Sequence, residues 1–180
     1  EFCNRAIEDG ADVCLTMFED YDPAERFDCV IASFVLEHVI DPVALLKKCK
    51  QWSDRLIVVI GNANSYHRQL AVHMGLQPSM DSLSERDHKV GHYRVYSYEG
   101  LQAQLMLSGW DVVPDSQKGF QFKPLPNSMM KGFNIELIRA MNEIEIPWQV
   151  AANIGMVCED LTSLIRSLEW DILRKIANEL

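Results

Sequence analysis

Two neighbouring titratable side chains, Glu37 and His38, follow the apolar run 27–34 and are the first candidates for chemistry. An imidazole titrates near neutral pH, so His38 can act as a general base that removes a proton from a hydroxyl group. The alternative is a structural histidine that forms hydrogen bonds at the start of a helix. Both side chains come where the apolar run ends, so the run determines where they lie.

A second group of polar residues follows the apolar run 55–60 or lies in and just after the irregular stretch 76–92. We predict that these residues bind a polar or anionic substrate: Asn62, His67, Arg68, His92 and Arg94. A guanidinium group, as in Arg68 or Arg94, offers paired donors to a carboxylate or phosphate. The alternative for each residue is a solvated surface position or a hydrogen bond that braces a loop.

A zinc site is the other chemistry that this stretch suggests. His88 and His92 are four residues apart, a spacing that suits zinc on a helix. Gly91 lies between them and no acidic partner pattern accompanies them, so we predict no metal site.

The elements that position these residues can be read from the apolar pattern. The runs 27–34 and 55–60 are apolar almost without interruption, which is typical of strands covered on both faces in a parallel sheet. Between them, Asp41-Pro42 predicts the start of a helix that ends near Trp52. Strands that alternate with helices indicate an α/β fold, in which ligands bind beyond the carboxyl ends of the strands.

Weaker patterns predict the remaining elements. Helices are predicted up to Gly10, from Ser65 to Gly75 and over 98–108, strands over 11–17, 110–113 and 119–122, and a long loop over 76–92. The strands 110–113 and 119–122 flank a turn and could be antiparallel neighbours. From residue 127 onward we predict only helices, over 134–145, 147–159 and 160–179.

Composition excludes several classes of partner. The formal net charge is -9 at pH 7, which argues against a broad face that binds nucleic acid or an anionic membrane. The five cysteines are odd in number and form no C-x-x-C pair, which favours a reducing cytoplasm over a disulfide framework. The longest apolar run, Cys29–Leu36, is far shorter than the roughly 20 residues of a membrane helix.

The stretch 27–42 combines residues in a way that resembles a known family. Phe27-Asp28 begins the apolar strand, Leu36-Glu37-His38-Val39 follows it, and Asp41-Pro42 comes after one further residue. This order and spacing resembles the fourth strand and following turn of class I S-adenosylmethionine (SAM)-dependent methyltransferases. Parts of 67–75, 91–96 and 123–125 are similar to a bacterial subgroup related to ubiquinone-type O-methyltransferases. The resemblance covers residues 1–160.

The resemblance implies a Rossmann-like sheet that is incomplete in this chain. The family binds SAM with a glycine-rich loop after its first strand, whereas the nine glycines here never form G-x-G. We therefore expect an N-terminally truncated chain that lacks the first two strands and would bind SAM weakly or not at all by itself. The expected division is a partial α/β domain over 1–125 and a helical extension over 126–180.

The resemblance also implies which residues contact the cofactor SAM. They are Met17, Phe18, Ser33, Phe34 and Glu37. The Phe18 ring could stack beside the adenine; the alternative for Met17 and Phe18 is core packing, and for Ser33 and Phe34 it is packing at a strand end. Relatives that bind a metal carry a second Glu three residues before the Glu-His pair. Phe34 stands there in this chain, so again no metal is expected.

Two functions follow from these patterns. The resemblance implies a cytoplasmic enzyme that transfers a methyl group from SAM to a small-molecule acceptor, with His38 as the base. The other hypothesis is a non-enzymatic α/β module for binding or dimerisation, motivated by the missing glycine-rich loop and by the final helix. The apolar stripe from Leu161 to Ile176 either packs on the domain, which is the simpler interpretation, or forms a homodimer.

Overall fold

Five strands of this protein form one mixed sheet, with five helices distributed along the described chain. The computed structural model describes residues 2–126, 129, 140 and 147–160. The helices are α1 (Phe2–Glu8), α2 (Pro42–Trp52), α3 (Tyr66–His73), α4 (Glu85–Lys89) and α5 (Tyr98–Leu107). The strands are β1 (Val30–Ser33), β2 (Arg55–Gly61), β3 (Trp110–Val112), β4 (Lys118–Phe120) and β5 (Asn153–Asp160).

The sheet order brings four strand ends to one edge. β1 pairs in parallel with β2, and β5 pairs antiparallel with β2 on its other side. β3 and β4 both pair antiparallel with β5, β3 along its second half and β4 along its first half. Because β1, β2 and β4 therefore run in the same direction, their carboxyl ends lie at the edge where β5 begins.

Strand β5 corrects the prediction of a helix over 147–159, which is wrong. Its residues are mostly buried, since β5 lies between β2 on one side and β3 and β4 on the other. A short apolar run has no periodicity that separates a buried strand from a helix, and pairing with distant strands then decides the conformation. The sheet thus continues beyond residue 125. The predicted helices over 134–145 and 160–179 lie almost wholly outside the described residues.

Strands β3 and β4 also correct an expectation. They are not antiparallel neighbours of each other but lie end to end along the same side of β5. The turn at 113–117 interrupts the pairing along this side of β5. Within it, Val113 N–H donates to the Val157 carbonyl, and Ser116 Oγ accepts from Val157 N–H. These bonds keep the chain beside β5, so no reversal occurs.

The predicted strand over 11–17 is wrong. The segment has no regular structure, and the side chains of Leu15 and Met17 are 90% and 66% exposed. A strand requires a neighbour to satisfy its backbone donors and acceptors, and no described strand lies beside this segment. Strand β1 is also shorter than predicted, and among the described strands it pairs only with β2. It is covered on one face only, since Ala32 is buried whereas Ile31 is 65% exposed.

The helices with strong local signals are confirmed. Asp41 accepts a hydrogen bond from Ala44 N–H (2.9 Å) at the start of α2, and Pro42 occupies the first turn; such a cap contributes about 1 kcal/mol. α3 and α5 begin after Ser65 and Ser97, although only Ser97 forms a side-chain cap. The long loop 76–92 contains the short helix α4, which was not predicted.

The core joins α2 and α5 to the sheet. Trp110 is fully buried, and its indole N–H donates to the Leu46 carbonyl of α2 at 2.9 Å. Lys50 forms an ion pair with Asp160 (2.8 Å) and donates to the Gly109 carbonyl (3.0 Å), so α2, the α5–β3 turn and the end of β5 are held together. None of the helices in the described part of the chain is long and apolar enough to cross a membrane.

The central place of β5 can be tested through its cysteine. Burial, followed by the neighbouring Asp111, raises the pKa of Cys158 to about 12, and burial raises that of Cys49 to about 11. A thiol reacts as its thiolate, so N-ethylmaleimide at pH 7 should modify exposed Cys14 quickly and Cys49 and Cys158 only after denaturation. Peptide mass mapping measures this. Equal rates for Cys158 and Cys14 would contradict the position of β5.

Candidate functional site

A cavity of about 360 Å³ opens at the edge where β1, β2 and β4 end. It brings together three residues that follow β1, namely Phe34, Glu37 and His38. It also includes four of the predicted substrate residues, namely Asn62, His67, Arg68 and His92. The carboxyl-end position matches the expectation for an α/β sheet, and the cavity is large enough for a small-molecule ligand.

The turn after β1 is fixed by a single arginine. Phe34 has a positive φ of 53°, which turns the chain away from the strand, and the side chain of Leu36 is fully buried. The Arg94 guanidinium donates hydrogen bonds to the carbonyl oxygens of Leu36, Val39 and Ile40. The guanidinium group of Arg94, which was predicted to bind substrate, is thus engaged by three backbone carbonyls. Arg94 is also not among the residues that line the cavity.

Glu37 places a buried acidic side chain against the cavity. The residue is only 4% exposed, and its Oε2 atom has no hydrogen-bond partner. Its backbone carbonyl accepts from Tyr93 N–H at 2.8 Å, which holds the turn against the segment that carries His92. An unpaired buried acceptor costs about 1–3 kcal/mol, so Glu37 Oε2 is a candidate contact for a ligand.

His38 belongs to a row of interacting side chains. Its ring packs edge-to-face on His92, with ring centroids 4.6 Å apart. His92 Nδ1 lies 3.1 Å from Asp87 Oδ1, and Asp87 Oδ2 lies 3.8 Å from the guanidinium of Arg68. Burial opposes ionisation of Asp87, but hydrogen bonds from Ser84 and the charges of Arg68 and His92 prevail and lower its pKa. The row therefore joins the end of β1 to helix α3.

His67 is a second buried polar group without a partner. It is 7% exposed, and its Nδ1 atom forms no hydrogen bond. Burial, reinforced by the charges of Lys123 and Arg68, lowers the pKa of His67 to about 4. The imidazole is therefore neutral near pH 7, so His67 lines the cavity without adding charge.

Asn62 lines the cavity, but its side-chain amide already forms hydrogen bonds with backbone groups. The side-chain nitrogen donates to the carbonyl oxygens of Trp148 (3.4 Å), Gln149 (3.0 Å) and Ala151 (3.0 Å). Its side-chain oxygen accepts from Asn64 N–H at 2.9 Å. These bonds tie the end of β2 to the segment that enters β5, which is the loop-bracing alternative considered for this residue.

Three of the residues expected to contact SAM lie apart from the cavity lining. Met17 and Ser33 are exposed, and Phe18 packs against the core. Their contact with SAM stays a prediction. Phe34, by contrast, is 45% exposed and does line the cavity.

The sequence interpretation missed three charged lining residues, Arg86, Asp87 and Lys123. A capping box between Ser84 and Asp87 starts α4. The Ser-x-x-Asp spacing was a signal that could have predicted this helix inside the loop 76–92. Lys123 belongs to the stretch 123–125 that resembles the subgroup, but nothing in that stretch predicts its place at the cavity, which results from the pairing of β4 with β5. Among the described residues no group of three or more His, Cys, Asp or Glu could hold a metal.

Comparison with known proteins identifies relatives and the fold. No family model matches the chain. Over 112 residues it is 30% identical to a ubiquinone biosynthesis O-methyltransferase of Rhodopseudomonas palustris strain HaA2; the match covers 61% of this chain and 43% of that protein. The chain thus spans less than half of the length of this curated relative.

Solved structures agree with this relationship. A SAM-dependent methyltransferase from Thermotoga maritima, described as a possible histamine N-methyltransferase, matches with a TM-score of 0.57 and 18% identity over 87% of this chain and 67% of its own. A SAM-dependent methyltransferase from Mesorhizobium loti matches with a TM-score of 0.53 and 13% identity over 87% and 74%. The predicted resemblance is confirmed: the chain has the Rossmann-like α/β fold of class I SAM-dependent methyltransferases.

The neutral state of His67 predicts a pH dependence of stability. In the unfolded chain a histidine binds a proton below pH 6.5, whereas folded His67 does so only near pH 4. Stability contributed by this residue is therefore present above pH 6.5 and is lost as the pH falls towards 4, by up to about 3 kcal/mol. Urea unfolding at pH 7 and pH 4.5 measures the loss, which should be smaller in His67→Gln.

The matched control for this measurement is His73→Gln, which changes an exposed histidine of the same helix. It should keep the pH dependence of the unchanged protein. An identical loss of stability on acidification in the His67→Gln protein would show that His67 is not buried in its neutral form.

Proposed function

We propose that this chain takes part in the transfer of a methyl group from SAM to a small-molecule acceptor. The observation that carries the proposal is the cavity at the carboxyl ends of β1, β2 and β4, which is lined by both His38 and Glu37, a buried acid whose Oε2 has no hydrogen-bond partner. The fold and the O-methyltransferase relative support the same reaction class.

The residues at the end of β1 fit the cofactor. SAM supplies a methyl group activated by a positively charged sulfonium. Glu37 is a buried acidic residue whose Oε2 atom has no hydrogen-bond partner. Such a group is suited to a cationic ligand, because opposite charges attract strongly where water is excluded. Ser33 and Phe34 lie exposed at the same strand end. We therefore assign Ser33, Phe34 and Glu37 to the methionine end of SAM, and Met17 and Phe18 to its adenine.

His38 is assigned as the base that accepts the proton of the acceptor hydroxyl. Its ring lines the cavity and is held by the ring of His92, which in turn lies against Asp87. Holding the acceptor in line is the larger part of the task, because a well-oriented reaction gains far more from positioning than from proton removal. Asn62, His67, Arg68 and His92 shape the acceptor side of the cavity, and Arg94 positions the turn that carries His38.

Cofactor binding decides between the two functions. The full-length protein from the complete reading frame is titrated by calorimetry with SAM and with S-adenosylhomocysteine. Saturable binding of both is expected. Absence of binding by the folded protein would contradict the enzyme and support the non-enzymatic binding or dimerisation module.

The role of His38 is tested in the same full-length protein. Hydroxyl-bearing small molecules are screened for methylation with radiolabelled SAM, and the active acceptor is used for kinetics. His38→Gln should lower kcat by roughly 10²–10⁴-fold and remove the rising limb of the pH–rate profile, with the SAM dissociation constant unchanged. His88→Gln, a change of an exposed histidine outside the cavity, should keep the kcat and the profile.

The result for His92→Gln identifies the base. If His38→Gln retains kcat while His92→Gln loses it together with the rising limb, the base is His92, oriented by Asp87, and the assignment to His38 is wrong. A loss of SAM binding in His38→Gln would also contradict the assignment, since the change would then have damaged the cofactor site.

A further inference from the structure

Three cationic side chains, Arg68, Arg86 and Lys123, line the cavity of an otherwise acidic protein. Arg68 is held by the carbonyls of Met80 and Ser82 and faces Asp87. Among the described residues, neither the Arg86 nor the Lys123 side chain forms a hydrogen bond or a close ion pair, although the charge of Asp87 acts on Lys123. The positive charge is therefore local to the cavity and only partly compensated by Asp87.

Lys123 lies at the opposite side of this sheet edge from the strand that precedes Glu37 and His38. Lys123 follows β4, and the order at this edge of the sheet is β1, β2, β5, β4. Neighbouring strands lie about 4.8 Å apart, so the ends of β1 and β4 are separated by about 14 Å. Glu37 and His38 follow β1. The cavity thus has an acidic side next to β1 and a cationic side next to β4.

The cationic side also contains a polar group that is built for a ligand. His67 lines the same cavity, is only 7% exposed, and has a buried Nδ1 atom without a hydrogen-bond partner. The charge of Lys123 lowers the pKa of His67, in addition to the larger effect of burial. Burial, and after it the charges of Arg86 and Arg68, lower the pKa of Lys123. Like charges that depress one another's ionisation are relieved by an anion placed between them.

We propose that this cationic side is an oxyanion subsite: Arg86 and Lys123, with the His67 imidazole, bind a carboxylate or phosphate group of the methyl acceptor. The inference rests on the proposed function and names its substrate class. An anion at the β4 side leaves the rest of the acceptor pointing towards β1, where His38 can reach a hydroxyl group. The acidic side chain of Glu37 repels an anion bound in the reverse orientation, which fixes the direction of the acceptor.

The test uses the full-length protein with S-adenosylhomocysteine present and three probes of similar shape. Phenyl phosphate, benzoate and uncharged benzamide are titrated by calorimetry. At least one of the two anions should bind about ten-fold or more tightly than benzamide, because a charge-assisted hydrogen bond is worth a factor of that order. A preference for phenyl phosphate indicates a phosphorylated acceptor, and a preference for benzoate indicates a carboxylic acid.

Variants locate the binding. Lys123→Gln and Arg86→Gln should each weaken the preferred anion about ten-fold and leave benzamide unchanged. Lys123→Arg should retain most of the affinity, which separates the loss of charge from a loss of folding. Lys89→Gln is the control, since Lys89 lies on the same helix as Arg86, is exposed, and pairs with Glu85 outside the cavity.

Three results would overturn the subsite: benzamide binding as tightly as both anions, no binding of any probe, or an equal loss of affinity in Lys89→Gln and Lys123→Gln. The proposed function fails separately. Anion selectivity in a protein that does not bind S-adenosylhomocysteine would keep the subsite and reject the methyltransferase. Binding of S-adenosylhomocysteine without anion selectivity would keep the methyltransferase and reject the subsite.

Discussion

The pairing of β2 with β5 is the interaction on which the rest of the structure depends. It runs from Arg55 opposite Glu159 to Gly61 opposite Asn153, and both strands are largely buried. Where it ends, the amide of Asn62 holds the carbonyls that precede β5. β5 in turn aligns β4 with β2, so that residues far apart in sequence reach one edge of the sheet.

A second constraint places the catalytic candidates within that edge. The segment 92–96 is tied to both neighbouring strand ends: Ala63 N–H donates to the Tyr96 carbonyl at 2.7 Å, and Arg94 binds the turn after β1. His92 is carried on this segment and therefore meets His38. The shape of the cavity thus depends on hydrogen bonds between polar side chains and backbone groups. Most of these side chains do not themselves face a ligand.

The sequence predicts those parts of the fold that local chemistry determines. α2 follows from the cap at Asp41 and from Pro42, and β2 follows from the continuous run of apolar residues. β5 could not be recognised in this way, because its conformation results from pairing with β2, which lies almost a hundred residues earlier in the chain. The segment 11–17 shows the reverse case: its residues suit a strand, but no described strand pairs with it.

The same division holds for the site. The stretch from Leu36 to His38 predicts a polar turn at the end of a strand, and the cavity contains Glu37 and His38 as expected. The sequence left open whether Asn62 and Arg94 bind a substrate or brace a loop, since the backbone carbonyls that accept their hydrogen bonds lie 54 or more residues away. Lys123 was not assigned for a similar reason. Long-range pairing rather than residue type decides which polar groups remain free for a ligand.

The central claim is that the turn carrying Glu37 and His38 faces the reacting centre of a methyl transfer. A crystal structure of the full-length protein with S-adenosylhomocysteine tests it most directly. We expect the sulfur atom to lie beside Phe34 and Glu37 and to point into the cavity lined by His38. Density for the cofactor on another surface, with Glu37 Oε2 still buried and without a ligand, would contradict it.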